Sequence, residues 1–401
     1  MNRFALRALT RDGWLLFLTR VTRLFAYGAL SVVLVFYLTS LGLTTSQTGL
    51  LLTLTLAGDT AVSLWLTTRA DRIGRRRTLI IGAVLMAAAG LAFAGTRSLP
   101  FLIVAATVGV ISPSGNEVGP FLPIEQAALA QVVPDQTRTA VFAWYTLAGS
   151  LATALGSLGG GIVSQQLGSY RVVVMVYAAL GLLLAVLFAR VSPAVEVRSP
   201  AVTSSWGIGR SRHVVLELSA LFALDSFAGG FVVQSFAAYW FYLRFAVNPA
   251  ALGAIFFGAN LLAGASALLA SRLATRFGLV RTMVFTHLPS NILLILVPLM
   301  PNLPLAVLVL FARFSISQMD VPTRQSYIMA VVGPEERSAA AGITGVARTT
   351  GAAIAPMFAG LLFAQPGLIS APFFIAGTLK VIYDVLLYRG FAAQRPAREA
   401  R

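Results

Sequence analysis

Ionisable and amide side chains interrupt the long apolar stretches of this sequence. The chain has 401 residues, of which 57% are hydrophobic and only 11% are charged. Burying a charged side chain in a bilayer costs at least about 2.5–3.5 kcal/mol, so such a residue faces a cavity or a partner. A carboxylate in a low-dielectric cavity can load and release a proton near neutral pH. The polar side chains to which this reasoning applies are Arg20, Arg23, Asn116, Glu117, Glu125, Asp225, Gln234, Gln318, Asp320 and Arg324.

Three interpretations of these charges are open. They couple a substrate to protons, or they only join helices, or they form pairs in one conformation and break them in another. The pairs expected if they join helices are Arg20 or Arg23 with Glu117, and Arg324 with Asp320 or Asp225. Glu117 or Asp225 is the preferred proton carrier. Glu125 is expected nearer the cytoplasmic end of its span, as a gate or an interfacial residue.

The stretch ISPSGNEVGPFLPIEQ (111–126) holds both glutamates together with three prolines and two glycines. Proline removes a backbone donor and breaks the helical ladder. Broken helices are tolerated in a membrane where they line water or protein. Glu117 and Glu125 are just over two helical turns apart, so both could face one side. The pattern predicts a bent or broken span that carries two carboxylates.

Three further ionisable residues lie in apolar stretches. Asp59 is expected to contact the neighbourhood of the loop that begins near residue 67. Asp384 is expected near the cytoplasmic end of the last span, in contact with water. His287, beside Pro289, is expected to be a hydrogen-bonded structural histidine rather than a proton relay.

Repeated apolar runs of about 20 residues are long enough to cross a bilayer as helices. The mean hydropathy is +0.82, and the runs predict a polytopic membrane protein with twelve spans. The expected spans are 13–39, 46–67, 78–96, 100–127, 139–165, 170–190, 214–243, 249–271, 281–300, 304–332, 337–363 and 369–391.

The basic residues, which are all arginine except Lys380, collect in alternate connections between spans. Cytoplasmic loops carry such an excess. The pattern therefore predicts an integral plasma (inner) membrane protein with both termini in the cytoplasm. It also explains the net charge of +16 without nucleic-acid binding.

The chain contains no cysteine and two histidines, so it offers no disulfide framework and no cysteine metal site. No nucleophile–base pair, metal-ligand cluster or phosphate-binding loop is visible. We therefore expect no enzyme activity, metal or cofactor, and we expect a gradient rather than ATP to supply energy.

Two halves of the sequence are related. PIEQAALAQVVPDQTRTA (123–140) aligns with PTRQSYIMAVVGPEERSA (322–339) at an offset of 199, and RLFAYG (23–28) with DSFAGG (225–230). The second alignment places Arg23 against Asp225. Parallel repeats of six spans are a transporter architecture. We expect an N-terminal bundle at 1–190, a cytoplasmic linker at 191–213 and a C-terminal bundle at 214–401.

The loop ADRIGRRRT after the second span resembles the signature loop of the major facilitator superfamily. The resemblance covers nearly the whole chain, and it implies twelve helices in two pseudo-symmetric bundles around a cavity lined by spans one, four, seven and ten. In that family the loop helps to lock the halves on the cytoplasmic side. The resemblance carries this role over to Asp71, Arg72, Gly74 and Arg75 of the loop, and to Arg138. The expected partners of the arginines are Glu335 and Glu336, in the matching loop of the second half.

The fifth span, LATALGSLGGG, resembles the glycine motif of proton-driven drug exporters within that family. Small residues at this spacing allow helices to approach closely. The residues on the motif are Ala152, Gly156, Ser157, Gly160 and Gly161, with alanine replacing the first glycine and serine the proline.

The resemblance implies secondary active transport by alternating access. The preferred function is proton-coupled efflux of a small or amphipathic compound by a monomer in the lipid bilayer. Proton-coupled uptake of an organic anion or another small solute is the alternative. A receptor that uses the fold without transporting anything is the least favoured possibility.

Overall fold

The computed structural model describes residues 9–196, 211–333 and 336–391, apart from the side chains of Asp71, Asp135, Gln136, Thr139, Ser271 and Ser338. The first seven helices are α1 Arg11–Ser40, α2 Thr45–Ile73, α3 Arg75–Gly95, α4 Leu99–Val108, α5 Phe121–Val132, α6 Asp135–Gln166 and α7 Tyr170–Ala189. They are followed by α8 Arg212–Gly230, α9 Gln234–Phe245, α10 Pro249–Phe277, α11 Leu279–Leu296, α12 Leu303–Phe314, α13 Asp320–Val331, α14 Arg337–Phe363 and α15 Ala371–Phe391. Short 3₁₀ turns lie at Pro193–Val195, Val297–Leu299 and Pro366–Leu368.

The predicted all-α membrane architecture is confirmed. Within the described ranges, ten helices are long and apolar enough to cross a membrane, and α4 and α12 are shorter apolar helices. Spans four and ten are each built from two short helices, α4 with α5 and α12 with α13. These account for the twelve expected spans.

The fourth span is interrupted at 109–120, as its prolines and glycines predict. Gly115 and Gly119 have φ of +70° and +79°, which a side chain would strain. Freed backbone groups in a membrane need partners. Other helices supply them: the hydroxyls of Tyr27 and Tyr177 donate to Val118 O (3.2 Å) and Val110 O (2.5 Å), and Gly119 N donates to Asp59 (2.6 Å).

The chain divides into two compact units whose boundaries fall inside helices. Unit one comprises Met1–Thr44, Leu54–Val202 and Ala237–Phe257, and unit two comprises Thr45–Thr53, Thr203–Phe236 and Gly258–Arg401. The first turns of α2 therefore belong to unit two, and the first turns of α10 to unit one. The expected domain boundaries at 190 and 214 stay a prediction, because most of the linker lies outside the described residues.

In unit one, α1 packs along α6 through the small residues of the fifth span. A Cβ on Gly160 would lie 2.7 Å from Ala29 Cα, and Ser157 Oγ donates to Gly28 O at 3.3 Å. Ala152 is buried as well. Gly161 approaches the backbone of Gly253 in α10.

Unit two repeats this packing. A Cβ on Gly351 of α14 would lie 3.1 Å from Ala223 Cα of α8, and Gly360 meets Gly49 of α2 with a Cβ–Cα distance of 2.8 Å. Small residues thus set the helix separation in both units.

We predict that Gly156→Ala destabilises the protein by about 1–3 kcal/mol, because its Cβ would collide with the Phe25 carbonyl and lie 3.0 Å from Ala29 N. Gly342→Ala in α14 is the matched control, since a Cβ there meets no described atom within 4 Å. Thermal unfolding in detergent checks both variants. Equal melting temperatures would contradict the proposed role of close packing.

Candidate functional site: two ion-pair clusters

Arg20, Arg23, Glu117 and Glu125 form an ion-pair group inside unit one, named here the N cluster. Arg23 Nη2 lies 2.7 Å from Glu125 Oε2 and 3.2 Å from Glu117 Oε2. Arg20 Nη1 lies 2.5 Å from Glu117 Oε1. The Arg23 side chain is fully buried. Carboxylates on both sides offset the cost of removing this cation from water.

Glu125 is the most enclosed acid of the N cluster. It accepts hydrogen bonds from Arg23 Nη1 (2.8 Å) and Nη2 (2.7 Å), from Thr19 Oγ1 (2.8 Å) and from the Tyr145 hydroxyl. The expectation of an interfacial residue is wrong, because the broken span makes α5 a separate helix whose first turns face α1. A gating role for Glu125 stays a prediction.

Glu117 is the accessible acid of this cluster. Its side chain is 17% exposed, whereas that of Glu125 is 0% exposed. It stands in the non-helical segment, two residues before the Gly119 turn. The fold therefore allows two arginines to share a carboxylate that water can approach.

Asp59 lies away from the position expected for it. Instead of lying near the loop after α2, its carboxylate binds Gly119 N (2.6 Å) and Ser63 Oγ (3.3 Å). It makes no ion pair with any described residue. Its contact helps to fix the segment that carries Glu117.

A second group lies inside unit two and is named here the C cluster. Its members are Asp225, His287, Asp320, Arg324, Lys380 and Asp384. Asp225 binds two cations, with Oδ1 2.5 Å from Lys380 Nζ and Oδ2 3.2 Å from Arg324 Nη1. Arg324 Nη1 also lies 3.3 Å from Asp320 Oδ2.

His287 lies between two acids. Its Nδ1 is 2.9 Å from Asp384 Oδ1, and its Nε2 is 3.7 Å from Asp225 Oδ1. The Asn291 side-chain amide donates to Asp384 Oδ2 at 2.8 Å. The expectation that Asp384 is in contact with water is wrong, because α15 turns it into the bundle, where it is 0% exposed. The hydrogen bonds expected for His287 are present.

The two clusters place opposite charges at equivalent repeat positions. Arg23 aligns with Asp225, and the offset of 199 aligns Glu125 with Arg324. The Arg23–Glu125 pair of unit one thus recurs in unit two with its polarity reversed. Both pairs join the first helix of a half to the second part of its broken span.

The ligand atoms of Asp225, His287 and Asp320 lie within 4.8 Å of one another, which is close enough to surround a metal ion. Arg324 and Lys380 already bind the Asp225 oxygens, however. The geometry therefore suits an ion-pair network better than a cation site.

The loop between α2 and α3 turns at Gly74, whose φ is +102°. The Glu196 carboxylate accepts the backbone N–H groups of Arg75 (2.7 Å) and Arg76 (3.1 Å) and so caps the start of α3. The Arg72 side chain is exposed. The Asp71 side chain and Glu335 lie outside the described part of the chain.

Two arginines in the first turns of α6 and α14, which follow the broken spans, make equivalent contacts. Arg138 Nη2 donates to Ala130 O (2.9 Å), and Arg337 Nε donates to Met329 O (3.0 Å). Each binds the eighth residue before it and satisfies a carbonyl at the end of α5 or α13. Glu336 accepts the Ser211 N–H at 3.2 Å.

The remaining predicted residues, Asn116, Gln318 and Gln234, belong to neither cluster. Asn116 is exposed, and Gln318 donates its backbone N–H to Ser266 Oγ at 3.3 Å. Gln234 accepts a hydrogen bond from Asn260 at 3.1 Å.

Sequence reasoning missed Lys380, Tyr145 as a partner of Glu125, and Glu196. Only Lys380 carried a signal, as the one lysine of the sequence and a charge within the last span.

A family model described as Major Facilitator Superfamily matches residues 16–244 and 218–401. The chain is 30% identical to an uncharacterized membrane protein of Saccharomyces cerevisiae, YJR124C, over 94% of this chain and 93% of the yeast protein.

Solved transporters have a similar fold. A mutant of the nucleoside transporter NupG matches with a TM-score of 0.80 at 12% identity, over 95% of this chain and 100% of that one. A D-xylose–proton symporter matches with a TM-score of 0.73 at 15% identity, over 94% of this chain and 97% of that one.

We predict that Glu125→Gln destabilises the protein by about 3–5 kcal/mol, because it leaves the buried Arg23 with a weakened partner. Glu117→Gln should cost less, since Glu117 is partly exposed and Arg23 keeps Glu125. Thermal unfolding in detergent checks the order. Glu217→Gln is the control, because the Glu217 side chain is 44% exposed. A larger loss for Glu117→Gln would contradict this ranking.

We also predict that Asp225 and Lys380 are energetically coupled. Asp225→Asn and Lys380→Met should each destabilise the protein, and the double variant should lose less than the two single losses together, by about 0.5–3 kcal/mol. Unfolding temperatures of the four proteins complete the cycle. Strictly additive losses would mean that the 2.5 Å contact contributes nothing.

Proposed function

Because the chain belongs to the major facilitator superfamily, a family of membrane transporters, we propose that it couples export of a small or amphipathic compound to proton entry. The proposed cycle is alternating access by a monomer in the plasma membrane, with both termini in the cytoplasm. Glu117 or Asp225 remains the proposed proton carrier. The family and the fold both point to a transporter rather than an enzyme.

The observation that carries the proposal is the sharing of Glu117 by two arginines. Arg20 and Arg23 both bind this partly exposed carboxylate, while Arg23 also binds Glu125 through two bonds. A proton arriving at Glu117 removes the partner of Arg20 but leaves Arg23 paired. Proton binding would thus free one guanidinium without leaving Arg23 uncompensated.

The C cluster supports a second proton-sensitive position in the same way. Asp225 has two cation partners, and His287 stands between it and Asp384. Adding a proton to Asp225 would release Lys380 or Arg324. Arg324 would keep Asp320, just as Arg23 keeps Glu125.

The proposed direction rests on the fifth span. Its residues on the exporter-like motif, Gly156, Ser157 and Gly160, pack against α1, which carries Arg20 and Arg23. Proton-coupled uptake is the second candidate. It is favoured by the number of arginines in the spans and by the fold shared with a protein named as a proton symporter.

The test uses everted membrane vesicles with an acidic interior and a fluorescent pH probe. Cations, anions and neutral drugs are added one at a time to wild type, Glu117→Gln and Asp225→Asn. We expect one compound to discharge the pH gradient in wild type, and at least one carboxyl variant to be slower by about tenfold or more. Glu217→Gln, outside both clusters, is the matched control and should behave as wild type.

If no compound discharges the gradient while an anion accumulates in intact cells through Arg23-dependent uptake, export is the wrong direction. If discharge occurs at the wild-type rate in both carboxyl variants, neither Glu117 nor Asp225 carries the proton.

A further inference from the structure

Arg313 in α12 and Arg348 in α14 differ from Arg324, the buried arginine among the described residues of unit two. Neither side chain forms an ion pair or hydrogen bond with any residue that the structure describes, and the Nε atom of each is buried without a described partner. The Arg313 guanidinium lies 4.9 Å from the centre of the Phe314 ring. By contrast, Arg324 has two aspartates.

Both arginines stand near the middle of their spans. Arg348 is eleven residues after the start of α14 at Arg337, and Arg313 is ten residues after the start of α12 at Leu303. At 1.5 Å per residue each Cα lies about 15 Å along its helix, which is about half of a 30 Å hydrocarbon core. An arginine at this depth requires an opposite charge or a water-filled space.

The nearby acids are bound to other groups. Asp225 and Asp320 act electrostatically on both Arg313 and Arg348. Their oxygens, however, are bound by Arg324 and Lys380. The remaining acid of the C cluster, Asp384, is bonded to His287 and Asn291.

Arg348 also experiences repulsion. Arg324 is near enough for its like charge to act on Arg348. An anion close to both would turn this repulsion into attraction, as a bound carboxylate or phosphate does between arginines. Both Arg313 and Arg348 are partly exposed.

We infer that Arg313 and Arg348 form the anion-binding part of a substrate site in unit two, which takes a small solute that carries a carboxylate, sulfonate or phosphate group. The inference rests on the proposed transport of a small solute and names its chemical class. Guanidinium groups supply planar paired donors for such anions. The anion would complete the charge balance that the described protein groups leave open.

The test is chemical footprinting of the wild-type protein in nanodiscs with phenylglyoxal, which modifies arginines that are free of ion pairs. Mass spectrometry follows each arginine, and Arg23 and Arg324 are internal controls because they are paired and buried. The probes are sodium benzoate, sodium benzenesulfonate and phenyl phosphate, with benzamide as the neutral match to benzoate.

We expect Arg313 and Arg348 to react faster than Arg23 and Arg324. At least one anion at several times its Kd should slow both reactions by about fivefold or more, while benzamide has no effect. If neither arginine reacts, or if no anion protects them, the inference is wrong.

The lipid is varied to separate a solute from a phospholipid headgroup. Protection by a soluble anion in purely zwitterionic nanodiscs supports a solute site. If the two arginines are protected only by anionic lipid, in the absence of any soluble anion, the inference of a solute site is wrong.

Variants supply the second measurement. Arg348→Gln should abolish benzoate protection at Arg313, and Arg348→Lys should retain part of it because the charge remains. If benzoate still protects Arg313 fully in both variants, the two arginines do not share a site. The footprinting needs no proton gradient, so the anion site can fail while proton-coupled discharge persists, and the reverse also holds.

Discussion

Arg23 is a fully buried cation in the first helix, and it binds one glutamate within the break of the fourth span and one in the helix that follows the break. A charge in this position is stable only when opposite charges are held in place. Glu125 is held by the separate helix α5, and Glu117 by a non-helical segment. That segment is possible only because Tyr27, Tyr177 and Asp59 bind its freed backbone groups. The break is therefore part of the charge network and not a defect in a helix.

The reversed polarity of the repeat follows the same requirement. Arg23–Glu125 and Asp225–Arg324 differ in sign but join equivalent helices. Each of these helix contacts requires one ion pair, and either helix can carry the cation. The neighbours differ accordingly: unit one adds Glu117 and a second arginine, whereas unit two adds a lysine, a histidine and two more aspartates.

Much of the fold could be predicted from the sequence, because apolar length, prolines and repeated motifs are local properties. The broken fourth span is an example, since its prolines and glycines alone indicate it. The burial of Glu125 and Asp384 could not be predicted, because it depends on the rotation of α5 and α15 about their axes. A shift of one residue turns a helical side chain by about 100°. That the Arg348 side chain has no partner among the described residues is equally a tertiary property, which depends on where the nearby acids lie.

Lys380 is the only lysine of the sequence, and the sequence has no cysteine. Its amine is buried and bound to Asp225. Amine-reactive reagents therefore meet a single side-chain target in the whole polypeptide, and that target lies inside a charge network. The rate at which Lys380 is acylated would measure how often the C cluster opens to water, with no engineered label.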